Sequence, residues 1–422
     1  MNLSRQKPFS GDYQIVTPSD EAADPRELFT IRLALALHRF GTPAHRIERT
    51  LDRIMERLGM QGEFFALPTS LFASFGRPES HRTSMMRGET GDVNLEKLVL
   101  VDHLAERVIR GEGTLAEATL ELDRILSSPS RFGHLLQVLG MVVGAAVSGR
   151  VLGGGWREVL VAGTIGLCTG MIAPFFSQDR SRRHLFEIVA SGLGAAVAIL
   201  AAQLITPVSP FIATLAGLIM LIPGMRLTIA MTEIASGHLV SGSARLTGAG
   251  LAFLGIAFGT AFGTQIATDF FPRTGLAGVP TVLPEFTLWI MLLLFPVSMM
   301  IMMQAQPRDL PYLLLSTFLA FGGARLGTQL LGPELGAFLG ALVLGVGANV
   351  VTQLRDLPAS LVIAPGLILL VPGSIGYRSI ASLMQRDVIN GIELAFSMAI
   401  VAFAIVTGLL MANAIVRTGR DL

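Results

Sequence analysis

Four carboxylates, Glu187, Glu233, Asp387 and Glu393, stand in or beside long apolar runs of this 422-residue chain. An ionisable group in that setting is where proton transfer would sit. Loss of water disfavours the charged form, so burial moves a carboxyl toward the range where it exchanges protons. In lipid such a group is costly and functional by default. Glu233 lies nine residues past Gly224, and Glu393 opens an apolar run just after Asn390-Gly391. Glu233, Glu393 and Asp387 are the candidates for proton coupling, against a solvated interfacial carboxylate. Glu187 follows an Arg/His-rich stretch and reads as half of a surface pair. His238 would titrate near neutral pH, with plain polar surface as the simpler reading.

A small zwitterion or dicarboxylate also needs a receptor for its carboxylate. A helix that starts after a chain break offers unpaired N–H groups and the positive end of its dipole. Such a break occurs twice. Leu221–Gly242 reads LIPGMRLTIAMTEIASGHLVSG, and Leu370–Gly391 reads LVPGSIGYRSIASLMQRDVING. Each places Pro-Gly at the end of an apolar run and reaches a polar residue followed by Gly after the same interval. Pro removes a donor and clashes with the preceding turn, and Gly tolerates conformations other residues avoid. The candidates for substrate binding are Pro223, Gly224 and Arg226 in the first copy and Pro372, Gly373 and Ser374 in the second. Ser374 would add a hydroxyl and Arg226 a charge, although Arg226 also reads as an interfacial anchor. Gln203, Asn349 and Gln353 are polar groups inside apolar runs. They either bond between helices or line the path.

No other constellation supports chemistry. His45 and Glu48 share a helix face without a third ligand. Pro68-Thr69-Ser70 could hold an anion but reads as a strand-joining turn. Cys168 is the single cysteine, so neither an intramolecular disulfide nor a cysteine metal cluster is expected. There is no nucleophile–base–orienter set, so the chain does not read as an enzyme. The absence of a P-loop lysine motif argues against ATP-driven pumping. No cofactor or metal is expected. A net charge of +1 without a basic-aromatic pattern argues against nucleic acid.

The elements that carry these residues follow from hydropathy. Mean hydropathy is +0.60, 51% of residues are apolar and 15% charged, and the charge is dense only up to about Arg131. No cleavable signal peptide is apparent. Residues 1–20 show no periodicity and read as a disordered tail. Residues 21–130 read as a small α+β domain. Helices are expected over Pro25–Phe40, from about Ile47 to Leu58, over Leu95–Arg110, and from the capping box Thr114-Leu-Ala-Glu117 to about Leu126. Short strands are expected at Glu63–Leu67, Leu71–Phe75 and Arg82–Arg87. Apolar runs follow at 134–152, 158–177, 187–206, 208–223 and 244–266, then at 285–304, 310–328, 335–354, 358–372 and 391–415. The runs ending at Pro223 and Pro372 are short for a hydrocarbon core of about 30 Å. Glycines about four apart, such as Gly255, Gly259 and Gly263, suit close helix packing.

The two sets of five runs correspond beyond the Pro-Gly stretch. Arg157-Glu158 resembles Arg308-Asp309, and Gln203 resembles Gln353. A duplicated unit of five helices must face opposite ways in its two copies, because five is odd. The expected fold is all-α and polytopic, with ten transmembrane helices as two inverted five-helix repeats, 131–267 and 285–416. Placing the N-terminal domain in the cytoplasm puts Arg180, Arg182, Arg183, Arg226, Arg245, Arg308, Arg355, Arg417 and Arg420 inside. Only Arg150, Arg157, Arg273, Arg325, Arg378 and Arg386 are then outside, which favours that orientation in an inner (plasma) membrane.

The chain resembles the threonine/serine exporter family. The resemblance rests on Gly41-Thr-Pro-Ala-His-Arg-Ile-Glu48, Leu58-Gly59, Leu67-Pro-Thr-Ser70, Val93-Asn-Leu-Glu-Lys-Leu98, Leu115-Ala-Glu-Ala118 and Val371-Pro-Gly-Ser374. It implies a cytoplasmic domain, ten membrane helices and export of threonine and serine driven by the proton-motive force. Relatives that divide the two halves between separate proteins are associated with succinate export. The expected activity is therefore secondary active export of small hydrophilic metabolites by antiport with protons, L-threonine and L-serine leading. A dicarboxylate exporter is the alternative within transport, and a non-transporting assembly or sensor protein the alternative outside it. The expected partners are an amino-acid substrate, protons and membrane lipid, with a homo-oligomer left open.

Overall fold

The computed structural model describes residues 14–16, 24–77, 79, 81–88, 93–177, 180–204, 208–270 and 280–417. The first part is built on four helices and a sheet. Helix α1 spans Pro25–Arg39, capped by the Asp24 side chain with Pro25 in the first turn. It is buried on nearly all sides. Helix α2, Ala44–Leu58, is amphipathic: Ile47, Leu51 and Ile54 are buried, and Gly59 closes it in the left-handed conformation. Strands β2 (Gly62–Leu67) and β4 (Arg82–Arg87) alternate buried and exposed residues over most of their length, and β3 (Ser70–Phe75) alternates half-buried and buried ones. Helices α3 (Leu95–Arg110) and α4 (Leu115–Ser127) complete it, and the Thr114–Glu117 capping box makes both of its bonds. These elements lie within a few residues of their expected places.

One expectation fails. Gln14–Val16, inside the stretch expected to be a disordered tail, forms strand β1 and pairs antiparallel with β4, giving the order β1-β4-β3-β2. An open sheet edge presents unpaired backbone groups, and three residues suffice to cover it. So short a strand has no periodicity to read. Residues 1–13 and 17–20 lie outside the described residues.

The remainder is a polytopic α-helical membrane protein. In order come α5 (His134–Val151), α6 (Trp156–Ser177), α7 (Arg180–Leu204), α8 (Pro210–Gly217), α9 (Gly224–Ala235), α10 (Leu239–Phe270), α11 (Glu285–Met302), α12 (Leu310–Leu331), α13 (Pro333–Arg355), α14 (Ser360–Leu370), α15 (Gly373–Met384) and α16 (Val388–Ile415). Among the described residues nine helical stretches are long and apolar enough to cross a membrane, α14–α15 counted together. The run expected at 208–223 is instead the eight-residue α8 plus a turn, with α9 beyond it.

Contacts with α1–α4 define a near face. Leu95 N–H donates to Met303 O at the end of α11, and Arg110 lies 3.7 Å from Asp356 just past α13. At the far face, Arg150 at the end of α5 donates to Thr287 Oγ1 near the start of α11 at 2.8 Å. Ser298 of α11 donates to the Gly140 carbonyl of α5. Helices α5 and α11 are therefore antiparallel neighbours. Within each set, the third helix packs on the last, α7 on α10 and α13 on α16. Backbones nearly touch at both crossings: a Cβ on Gly263 would overlap the Gly192 carbonyl, and one on Gly408 would lie 2.5 Å from the Phe338 carbonyl.

Candidate functional site

The two Pro-Gly breaks lie side by side. Pro223 (φ −77°, ψ 43°) precedes α9, and Pro372 (φ −77°, ψ 33°) precedes α15, so the breaks share one backbone conformation. Neither helix start receives a side-chain cap. Their contact is reciprocal. A Cβ on Gly224 would overlap Val371, and one on Gly373 would sit 2.6 Å from Ile222 Cγ2. Each glycine thus faces the apolar residue just before the other proline. Pro223, Gly224, Pro372 and Gly373 are buried, and Ser374 is half-buried. Helix α8 starts at the far face, where Ser209 N–H donates to Glu158 Oε1 at 2.8 Å, and α9 ends at the near face. Segment α14–α15 runs the other way.

A cleft of about 360 Å³ lies between α7, α8, α10 and α15, in the half of the bundle away from α1–α4. Its polar lining is Thr214, Thr260, Thr264, Gln265, Tyr377 and Gln385. The Tyr377 ring stacks obliquely on Phe211, centroids 5.9 Å apart, and shares the cleft lining with Thr260. Among the described residues lining the cleft, none is charged. Sequence reading missed this lining. The available signal was a polar stripe on α10, since Thr260, Thr264 and Gln265 recur at helical spacing in an apolar run.

At the near face Glu233 is completely buried and accepts three sets of bonds. Arg245 Nε lies 3.1 and 3.0 Å from its two oxygens, and the Ser241 hydroxyl donates at 2.8 Å. The third donor is the Ala44 N–H of α2, at 3.0 Å. Pro43 cannot cap α2, so a carboxylate far along the chain occupies that helix start. Beside it, His238 Nε2 meets Glu48 Oε2 at 3.0 Å, and Glu48 Oε1 accepts the Ala66 N–H at 2.9 Å. The His45 and His238 rings are 5.8 Å apart. Burial, reinforced by Arg46, His238 and Arg49, pushes the His45 imidazole down to about 3. Burial also lowers His38, partly offset by its bond to the Leu67 carbonyl.

The other candidates are dispersed. Asp387 is exposed and caps α16, and Glu393 is exposed in its first turns. Arg226 is exposed and pairs with Glu187 at 3.6 Å. Asn349 is buried and ties α13 to the end of α16 through Asn413 Oδ1 and the Val416 carbonyl. Gln353 donates to the Arg417 carbonyl, and Gln203 is half-buried near the end of α7. Neither residue lines the cleft. Cys168 is a free thiol in α6.

Comparison with known proteins bears on the whole chain. Residues 28–267 match the family described as "Putative threonine/serine exporter", and residues 290–415 match "Threonine/Serine exporter, ThrE". An uncharacterized protein of Schizosaccharomyces pombe is 26% identical over 88% of this chain and 46% of its own length. Proteins called pheromone-regulated membrane protein 10 are also similar. The one from Pichia sorbitophila is 25% identical over 84% of this chain and 37% of its own, and that from Debaryomyces hansenii is 26% identical over 84% and 36%. The chain thus spans less than half the length of these relatives. No solved structure matches it. With its membrane helices, its N-terminal domain and both halves matched, the chain belongs to the threonine/serine exporter family.

Proposed function

We propose that the chain is a secondary active exporter of small hydrophilic metabolites, L-threonine and L-serine first, by antiport with protons in the inner (plasma) membrane. The observation that carries this reading is the reciprocal contact of the two broken helices, each glycine against the residue before the other's proline. Paired interruptions near mid-membrane are where transporters place a substrate site. The antiparallel α5 and α11 and the opposed α8–α9 and α14–α15 support two inverted five-helix repeats, 131–267 and 285–416. In that arrangement α8–α9 supplies the tenth crossing. The Arg distribution supports a cytoplasmic near face and a cytoplasmic domain over residues 21–130.

The far cleft is the substrate vestibule in this reading, with the Pro-Gly breaks at its inner end. Its hydroxyl and amide lining suits a neutral zwitterion. Among the described lining residues none is a cation that could pair with a dianion such as succinate, whose desolvation would then be costly. Asp387 and Glu393 stand at the far face just beyond Gln385 of the cleft and are the carboxylates proposed to exchange protons. Arg226 is an interfacial anchor rather than a substrate ligand.

Purified protein in liposomes should release labelled L-threonine and L-serine when a pH gradient is imposed, and excess unlabelled succinate should not compete. Flux indifferent to collapse of the gradient would remove proton coupling. Succinate flux with no amino-acid flux would replace the substrate.

A further inference from the structure

The two broken elements match in sequence and conformation but not in what holds their ends. In the second copy Ser382 stands nine residues past Gly373 and Asn390 seventeen, and the Asn390 amide donates to Ser382 Oγ at 3.2 Å at the exposed end of α15. The same offsets from Gly224 give Glu233 and Ser241, buried and joined by Arg245 and by the Ala44 N–H of α2. A neutral surface bond in one copy is thus a buried ionic cluster in the other, completed by the N-terminal domain. The Glu48–His238 contact ties α2 down at a second point.

The same domain also holds the second half. Leu95 N–H donates to Met303 O at 2.8 Å, Glu96 N–H to Gln304 O at 3.3 Å, and Gln306 Nε2 to Glu96 Oε1 at 3.1 Å. Arg110 reaches Asp356 beyond α13. Two of these are main-chain bonds. The grip on α9 and α10 instead relies on side chains and one N–H. The domain therefore straddles the near face, while the cleft opens in the opposite half. Halves that rock against each other cannot keep both grips.

We infer that the N-terminal domain is a near-face latch: Ala44 and Glu48 of α2, closed on Glu233 and His238, hold α9 where the far cleft is open, and their separation lets the near face open. This rests on the transport reading above. Glu233, Glu48 and His238 act as positioning residues, because they touch the α9–α10 turn and not the cleft. Among the described residues, Arg46, Arg49 and His45 of α2, Arg245 of α10 and His38 of α1 are further charged or titratable groups at this contact.

The test uses single reporter cysteines in a Cys168→Ser background. Thr228→Cys reports α9, the near-face part of the α8–α9 segment, where Thr228 is 1% exposed, and Thr264→Cys reports the far cleft. His238→Ala or Glu48→Ala should speed maleimide labelling at 228 about fivefold and slow it at 264, as loss of one partly buried hydrogen bond does to a two-state balance. No change at 228, or acceleration at both sites as in a merely loosened fold, would overturn the latch. In the paired variant Glu48→Cys/His238→Cys, a short bismaleimide bridge should abolish amino-acid flux that the unbridged protein sustains. Full flux after complete bridging would also overturn it. Opposite labelling shifts in a protein that moves no amino acid would leave the latch standing and remove the export reading instead.

Discussion

Glu233 and Arg245 form a buried ion pair across the α9–α10 turn, with their side chains 0% and 7% exposed and 3.0 Å between Arg245 Nε and Glu233 Oε2. Two charges out of water are kept there by further donors, Ser241 and the start of α2. Such a pair adds little net stability over apolar packing, but removal of one partner strands the other. Glu233→Met or Arg245→Met alone should therefore cost about 3–5 kcal/mol, and the double variant should recover most of that. Thermal unfolding in detergent measures both. Strictly additive losses would show that the two residues do not act as a pair.

The reciprocal contact at the breaks predicts rescue. Gly224→Ala forces a methyl into Val371, and overpacking of this kind costs about 1–3 kcal/mol. Val371→Ala in the same chain should restore most of the lost stability and flux. Gly373→Ala with Ile222→Ala should behave alike, because the contact is mirrored. Rescue by the wrong partner as well as by the right one would argue against direct contact.

The cleft lining predicts affinity changes. Tyr377→Phe and Thr260→Val each remove one neutral hydrogen-bonding group, so the KM for threonine should rise about three- to tenfold with little change in the maximal rate. Counterflow in liposomes gives both parameters. Unchanged kinetics in both variants would move the substrate path elsewhere.

His45 predicts a pH dependence. Its imidazole titrates at about 3 in the fold, below the ordinary value of 6.5. Between those limits the unfolded chain binds the proton that the folded chain refuses, so stability rises with pH. Its contribution is fully present above 6.5 and is lost progressively on acidification toward 3, at up to about 1.4 kcal/mol per pH unit. His38, lowered by burial, acts in the same direction. His45→Gln should flatten the acid limb of a melting-temperature profile between pH 4 and 6.5. An unchanged slope would show that His45 is not buried neutral.

The sequence alone carried the membrane class, the helical and strand elements of α1–α4 and the position of both breaks. Hydropathy, capping and Pro-Gly chemistry act within a turn or two, so Thr114–Glu117 and Pro223–Gly224 are legible where they stand. It also drew attention to Glu233, because a carboxylate in an apolar run is conspicuous. What it could not give is which surfaces meet. Gly224 against Val371, Ala44 under Glu233 and Thr260 beside Tyr377 are each separated by more than a hundred residues, and only packing sets such contacts. The same limit explains Asp387, Arg226 and Gln353. Each is a polar residue near a helix end, and tertiary structure decided whether that end met water, a neighbour's carbonyl or the other half of the bundle.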